Sequence, residues 1–234
     1  ILGLQYLWMW HPEWDVYRVL EKNITEVHVL ALLTLALAAN LEEITKSGVV
    51  QIIGKTRIGI QTINDAVKYS ILAGLGFSFV ENIMYFYYIL AASGPAGLVF
   101  PVIFRSIFTM CAHMVFSGIF GYFHGVAKFS RPIMEAKLWM GERAILVRML
   151  AKFSGVNEAD AFRQLTWLKG LFIAMMLHTA FNFALEFEYF IPVVLIVGGG
   201  FTYLLYLLAH KAGAIVFSSQ GRSSNMARRD QSKG

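Results

Sequence analysis

Glu42 and Glu43 stand side by side near the end of an apolar run, "LAANLEEITK", with Lys46 one helical turn further on. Glu81 and Asn82 sit in the middle of "GFSFVENIMY", and Ser78 falls on the same helical face. "RSIFTMCAHMVFSG" places a polar residue at every fourth position: Arg105, Thr109, His113 and Ser117. "MLHTAFNFALE" does the same with His178, Asn182 and Glu186. At helical spacing each set forms a polar stripe within an apolar segment. A charged side chain inside a membrane costs roughly 2.5–3.5 kcal/mol on insertion scales and normally faces protein rather than lipid. The economical arrangement is one polar cluster shared between helices. Carboxylates and imidazoles so gathered could activate a water and stabilise an oxyanion without a serine or cysteine nucleophile. The same residues also admit quieter roles. Glu42 and Glu43 could be interfacial charges, with Lys46 an anchor at the membrane surface. Arg105 could neutralise buried carboxylates, and Asn182 could be helix–helix glue.

Only membrane-spanning helices could bring these stripes together, and the composition provides them. The chain has 234 residues, is 57% hydrophobic and 15% charged, and has a mean hydropathy of +0.57. Soluble domains are less apolar and carry more charge. A span needs roughly 20 mostly apolar residues. Six are expected: 1–10, read as the end of a span whose beginning is clipped, then 27–44, 69–92, 98–123, 168–185 and 190–209. The expected fold is all-α, a polytopic bundle over residues 1–210 followed by a basic, disordered tail, 211–234. The single cysteine, Cys111, excludes an internal disulfide and a zinc site built on several thiolates.

Charge gives the orientation. Lys46, Lys55, Arg57 and Lys68 lie between the second and third spans, and Lys128 to Arg163 between the fourth and fifth. Lys211 to Lys233 follow the last. The alternate connections are acidic or uncharged. The positive-inside bias therefore puts the basic loops and the C-terminus in the cytoplasm. Basic residues confined to loops and a tail argue against a nucleic-acid partner. Counted from the outer end of its span, the Glu42/Glu43 pair falls about 22 Å deep, in the cytoplasmic third. The loop 127–167 carries its own pattern: Leu138, Ile145, Met149 and Phe153 share one face, as in an amphipathic helix on the membrane surface. "SGVN" then stops that helix and caps another at Asn157. The stretch 48–65 is rich in Gly and β-branched residues, which argues against a simple helix.

Four pieces taken together resemble the PrsW family of intramembrane proteases: "EEITK", "FSFVEN", "RSIFTMCAH" and "HTAFN". They occur in family order on separate spans. The resemblance extends to the CAAX-prenyl endoproteases, which share a glutamate pair and a late H-x-x-x-N, and to a non-catalytic subunit of gamma-secretase. It implies a site of Glu42, Glu43, Glu81, His113 and His178, supported by Lys46, Asn82, Arg105 and Asn182. It also implies a single-span membrane protein as substrate, of the kind of an anti-sigma factor, and a bacterial cytoplasmic membrane as the setting.

Two chemistries fit these residues. In one, Glu42 or Glu43 with His113 activates a water while His178 and Asn182 donate to the oxyanion. In the other, His113, His178 and Glu43 hold Zn2+, and another glutamate is the base. There is no H-E-x-x-H, but the family is described as metalloproteases, which favours the second. The alternatives from other classes are a proton- or ion-coupled transporter, for which no inverted repeat is visible, and a non-catalytic membrane scaffold of the same fold.

Overall fold

The computed structural model describes residues 15–56, 59–139 and 145–231, and among them every regular element is helical. A short helix α1, Val16–Asn23, leads into α2, Val27–Ile53. Then come α3, Ile63–Ser93, a single 3-10 turn, and α4, Val99–Phe104. A π-helical turn, Arg105–Thr109, joins α4 to α5, Met110–Lys128. Two short helices follow, α6, Ser130–Trp139, and α7, Ile145–Ser154, before the long α8, Glu158–Glu186, and α9, Phe190–Gln231. Five stretches are long and apolar enough to cross a membrane: Val27–Ile53, Ile63–Ala92, Val102–Lys128, Glu158–Glu186 and Phe190–His210. They correspond to five of the six expected spans; the expected span 1–10 lies outside the described residues.

Local chemistry sets the helix ends. The Glu26 carboxylate accepts from the Val29 N–H at 2.8 Å and caps α2. Thr62 and Asp65 form a reciprocal capping box at the start of α3. Asn157 accepts from the Asp160 N–H at 2.8 Å and starts α8 where "SGVN" predicts. Gly155, with φ 67°, takes the left-handed turn between α7 and α8 that a side chain would oppose.

Three differences from the sequence expectation bear on function. First, α2 continues to Ile53 instead of ending at 44, so the glutamates lie well inside a helix. Val50 is buried in the core there, and packing overrides the weak helix propensity of the β-branched stretch. Second, α9 extends as helix to Gln231, through residues expected to be without structure. Third, the surface segment is two helices, α6 and α7. On α7, Val147 and Ala151 pack against Met134 and Ala161, while Ile145, Met149 and Phe153 are 69%, 53% and 84% exposed. The apolar face expected to meet the membrane surface is thus the outward one.

Helix α5 is the centre of the bundle, with 47% of its span buried against 12% for α3. Lipid is as apolar as leucine, so close contact rather than the hydrophobic effect must hold the helices together. Glycines permit that contact between α3 and α5. A Cβ on Gly74 would lie 2.7 Å from the His113 carbonyl oxygen, and one on Gly121 2.7 Å from Ser70 Cβ. Gly118 instead makes room for Leu204 of α9, and a Cβ on Gly76 would have nothing within 4 Å.

The two ends of the bundle are distinct. Lys128 Nζ donates to the Gly54 carbonyl at 3.3 Å, joining the end of α5 to the turn after α2. At the other end the His28 ring stacks on Phe187 at 4.5 Å, joining the start of α2 to the turn after α8. The basic connections therefore share one end, and the acidic ones the other.

Candidate active site

Where α2, α3, α5 and α8 meet, the polar stripes converge. Helix α2 supplies Glu42, Glu43 and Lys46, and α3 supplies Glu81. His113 comes from α5 and His178 from α8. Glu43, Lys46, His113 and His178 are each no more than 2% exposed. Glu42 keeps 11% of its side-chain surface and Glu81 keeps 34%, so the cluster opens on the Glu81 side.

The contacts fix which atoms face inward. Lys46 Nζ donates to Glu43 Oε1 at 2.7 Å and to His113 Nδ1 at 2.8 Å. A neutral His113 that accepts from the Lys46 ammonium at Nδ1 carries its proton on Nε2, so Nε2 can serve as a metal ligand only when the proton shared with Lys46 sits on Nδ1. The other ring nitrogen, Nε2, lies 3.0 Å from Glu81 Oε2. Glu43 Oε1 also accepts from His178 Nδ1 at 2.9 Å. A proton on Nδ1 leaves His178 Nε2 with its lone pair free. That nitrogen is buried, has no hydrogen-bond partner among the described residues, and lies 3.7 Å from Glu42 Oε2. The two imidazole rings meet edge to face, with centroids 4.9 Å apart.

Ligand atoms of Glu42, His113 and His178 lie within 4.8 Å of one another. Two imidazoles and one carboxylate form a donor set suited to a catalytic zinc, leaving one position open. The orphaned His178 Nε2 supports the fit, as does the carboxylate behind its Nδ1, the usual outer partner of a metal-bound histidine.

The chain matches the PrsW family intramembrane metalloproteases over residues 6–210. It belongs to that family. No curated protein and no solved structure matches it. A PrsW-family membership and a buried carboxylate–histidine–histidine group point to the same metal-assisted hydrolysis.

The structure brings together Glu42, Glu43, Glu81, His113 and His178, the five residues expected at the site, and sets Lys46 among them. Two expectations change. Glu43, expected as the carboxylate ligand, is instead taken up by Lys46 and His178 Nδ1, and Glu42 occupies the place beside the ring nitrogens. Lys46, expected also as a surface anchor, is 2% exposed and lies between Glu43 and His113. Its i+3 spacing from Glu43 was the available signal; its partner on α5 was not visible. Asn82 is buried beside Glu81, and Asn182 lies half-buried one turn beyond His178. Arg105 falls in the π-turn just before α5, and its side chain is outside the described residues.

His178 precedes the end of α8 by eight residues, or about 12 Å, and Glu43 precedes the basic end of α2 by ten residues, or about 15 Å, so the cluster lies towards the middle of the bundle.

Proposed function

We propose that this protein is an endopeptidase that cuts a single-span membrane protein within the bilayer, with Glu42, His113 and His178 as metal ligands. The observation that carries this is the convergence of those three donors, from three separate helices, within 4.8 Å in a nearly closed site. A bound divalent metal would lower the pKa of water and polarise the scissile carbonyl. The chain's own residues do the rest. Glu43 orients His178 through Nδ1 and keeps the Nε2 lone pair directed inward. Lys46 neutralises Glu43 and steadies His113. Glu81, the most exposed carboxylate of the cluster, is placed to accept a proton from an attacking water and to pass it to the leaving amine. Burial excludes bulk water and strengthens each of these interactions.

The basic ends of α2 and α5, read with the positive-inside bias, support a cytoplasmic location for those loops in a bacterial cytoplasmic membrane. A membrane-anchored anti-sigma factor fits the substrate class that the family resemblance implies. The test is elemental analysis of the purified protein together with cleavage of a single-span substrate in proteoliposomes, before and after chelation. Near-stoichiometric zinc, loss of cleavage on chelation and its return with Zn2+ are expected. Cleavage that survives both chelation and His178→Ala would overturn the reading.

A further inference from the structure

The second polar region lies at the basic end of the bundle and belongs to no part of the proteolytic site. A cavity of ≈ 570 Å³ opens between the end of α2, the end of α5 and the first half of α8. Lys55, Lys128 and Arg163 line it, with His124, Gln164 and Trp167, and none of its described lining residues is acidic. Asp160 Oδ1 lies 3.3 Å from Arg163 Nη2 and takes up part of that one cation. Lys128 Nζ donates to a backbone carbonyl, that of Gly54, at 3.3 Å. His124 Nδ1 is buried and has no hydrogen-bond partner among the described residues. Three cations and an imidazole gathered around a void call for an anion.

The neighbouring surface indicates what that anion is attached to. A second cleft, of ≈ 770 Å³, lies between the start of α7 and the stretch of α8 from Phe162 to Met175; Leu168 lines both, and Lys169 is the one charged residue among its described walls. Its walls are almost wholly apolar. A basic cavity at the end of the spans that adjoins, at Leu168, an apolar groove along one of them suits the two parts of an amphiphile: phosphate in the first, acyl chain in the second. Trp167 stands at the junction, as indoles do at the level of lipid headgroups.

We infer that this cavity binds the phosphate headgroup of an anionic phospholipid, with Lys55, Lys128 and Arg163 as its cationic contacts and the groove that adjoins it at Leu168 holding an acyl chain. The test uses the full chain, purified, delipidated and presented with nanodiscs of phosphatidylcholine alone or mixed with phosphatidylglycerol. Retained lipid is counted by native mass spectrometry, and inorganic phosphate is offered as a separate arm. Retention of phosphatidylglycerol over phosphatidylcholine is expected, weakened about fivefold for each cation removed in Lys55→Gln, Lys128→Gln and Arg163→Gln, and roughly a hundredfold in the triple variant. Lys68→Gln, on the same end but outside the cavity, should leave the preference intact. The single variants keep the question open to refutation if the triple does not fold. Equal retention by the wild type and all cavity variants overturns the site. Competition by millimolar inorganic phosphate as strong as that by the lipid overturns the lipid source. Loss of preference in Lys68→Gln as large as in the cavity variants reduces it to general surface charge and overturns it too.

Discussion

The protein contains two polar regions that differ in the groups they gather and in how those groups are satisfied. In the middle of the bundle, Glu42, Glu43 and Glu81 gather about Lys46, His113 and His178, and the contacts of both histidines are made between helices. At the basic end, three cations line a cavity whose described walls include no carboxylate. The first environment offers two imidazoles and a carboxylate converging within 4.8 Å, one buried ring nitrogen among them orphaned, and suits a divalent cation. The second offers cations and lies at the basic end of the spans, and suits an anion. In lipid, charged groups normally face a partner rather than the bilayer. The kind of group gathered in each place therefore indicates the partner it suits.

The sharpest break of this contrast is at the centre. His178→Ala and Glu42→Gln, tested separately, should each reduce substrate cleavage to background and abolish stoichiometric metal, while phosphatidylglycerol retention is unchanged. If metal content survives in both, the central cluster does not serve a cation. Next in size is Lys46→Met. It leaves Glu43 buried without its counter-charge, and thermal unfolding in detergent should show a loss of about 3–5 kcal/mol. Glu43→Gln keeps the shape but weakens the acceptor behind His178, so zinc affinity, read by competition with a chelator, should fall roughly 10–100-fold. Gly121→Ala forces a methyl against Ser70 and should cost about 1–3 kcal/mol, visible as a lower midpoint of unfolding.

The smallest effect lies outside both regions. Glu26 caps α2, and the Val29 N–H it accepts holds its carboxyl below the usual carboxylate range. A depressed folded-state pKa contributes stability that is present above the ordinary carboxylate pKa and lost as pH falls through the folded value. Glu26→Gln should therefore lower the midpoint of unfolding slightly at neutral pH, and the difference from wild type should disappear in acid.

Much of the architecture was legible because lipid imposes few solutions. Long apolar runs must be helices, and ionisable residues within them must face one another. That logic brought Glu81, His113 and His178 together across three spans. It could not separate Glu42 from Glu43. The two are about 100° apart on one helix, and which one meets His178 at Nδ1 and which at Nε2 depends on how α2 is rotated against α8, a property of packing rather than of spacing. The end of α2 was misread because Val49, Val50, Ile52 and Ile53 are poor helix formers in isolation, whereas Val50 is held in the core. For a related reason α8 begins ten residues before the expected span: hydropathy reports the apolar part of a helix rather than its full length.

The glycine contacts between α3 and α5 have a mechanical consequence. Backbone lies against backbone at Gly74, Gly121 and Gly125, with too little space for even a methyl group. These two helices cannot slide or part without losing all three contacts at once, so they behave as a single jamb. Glu81 and His113 are mounted on it, one on each helix, and keep their spacing whatever the other helices do. The door must be hung elsewhere: parting that pair would break more close contacts than moving a less tightly fastened helix.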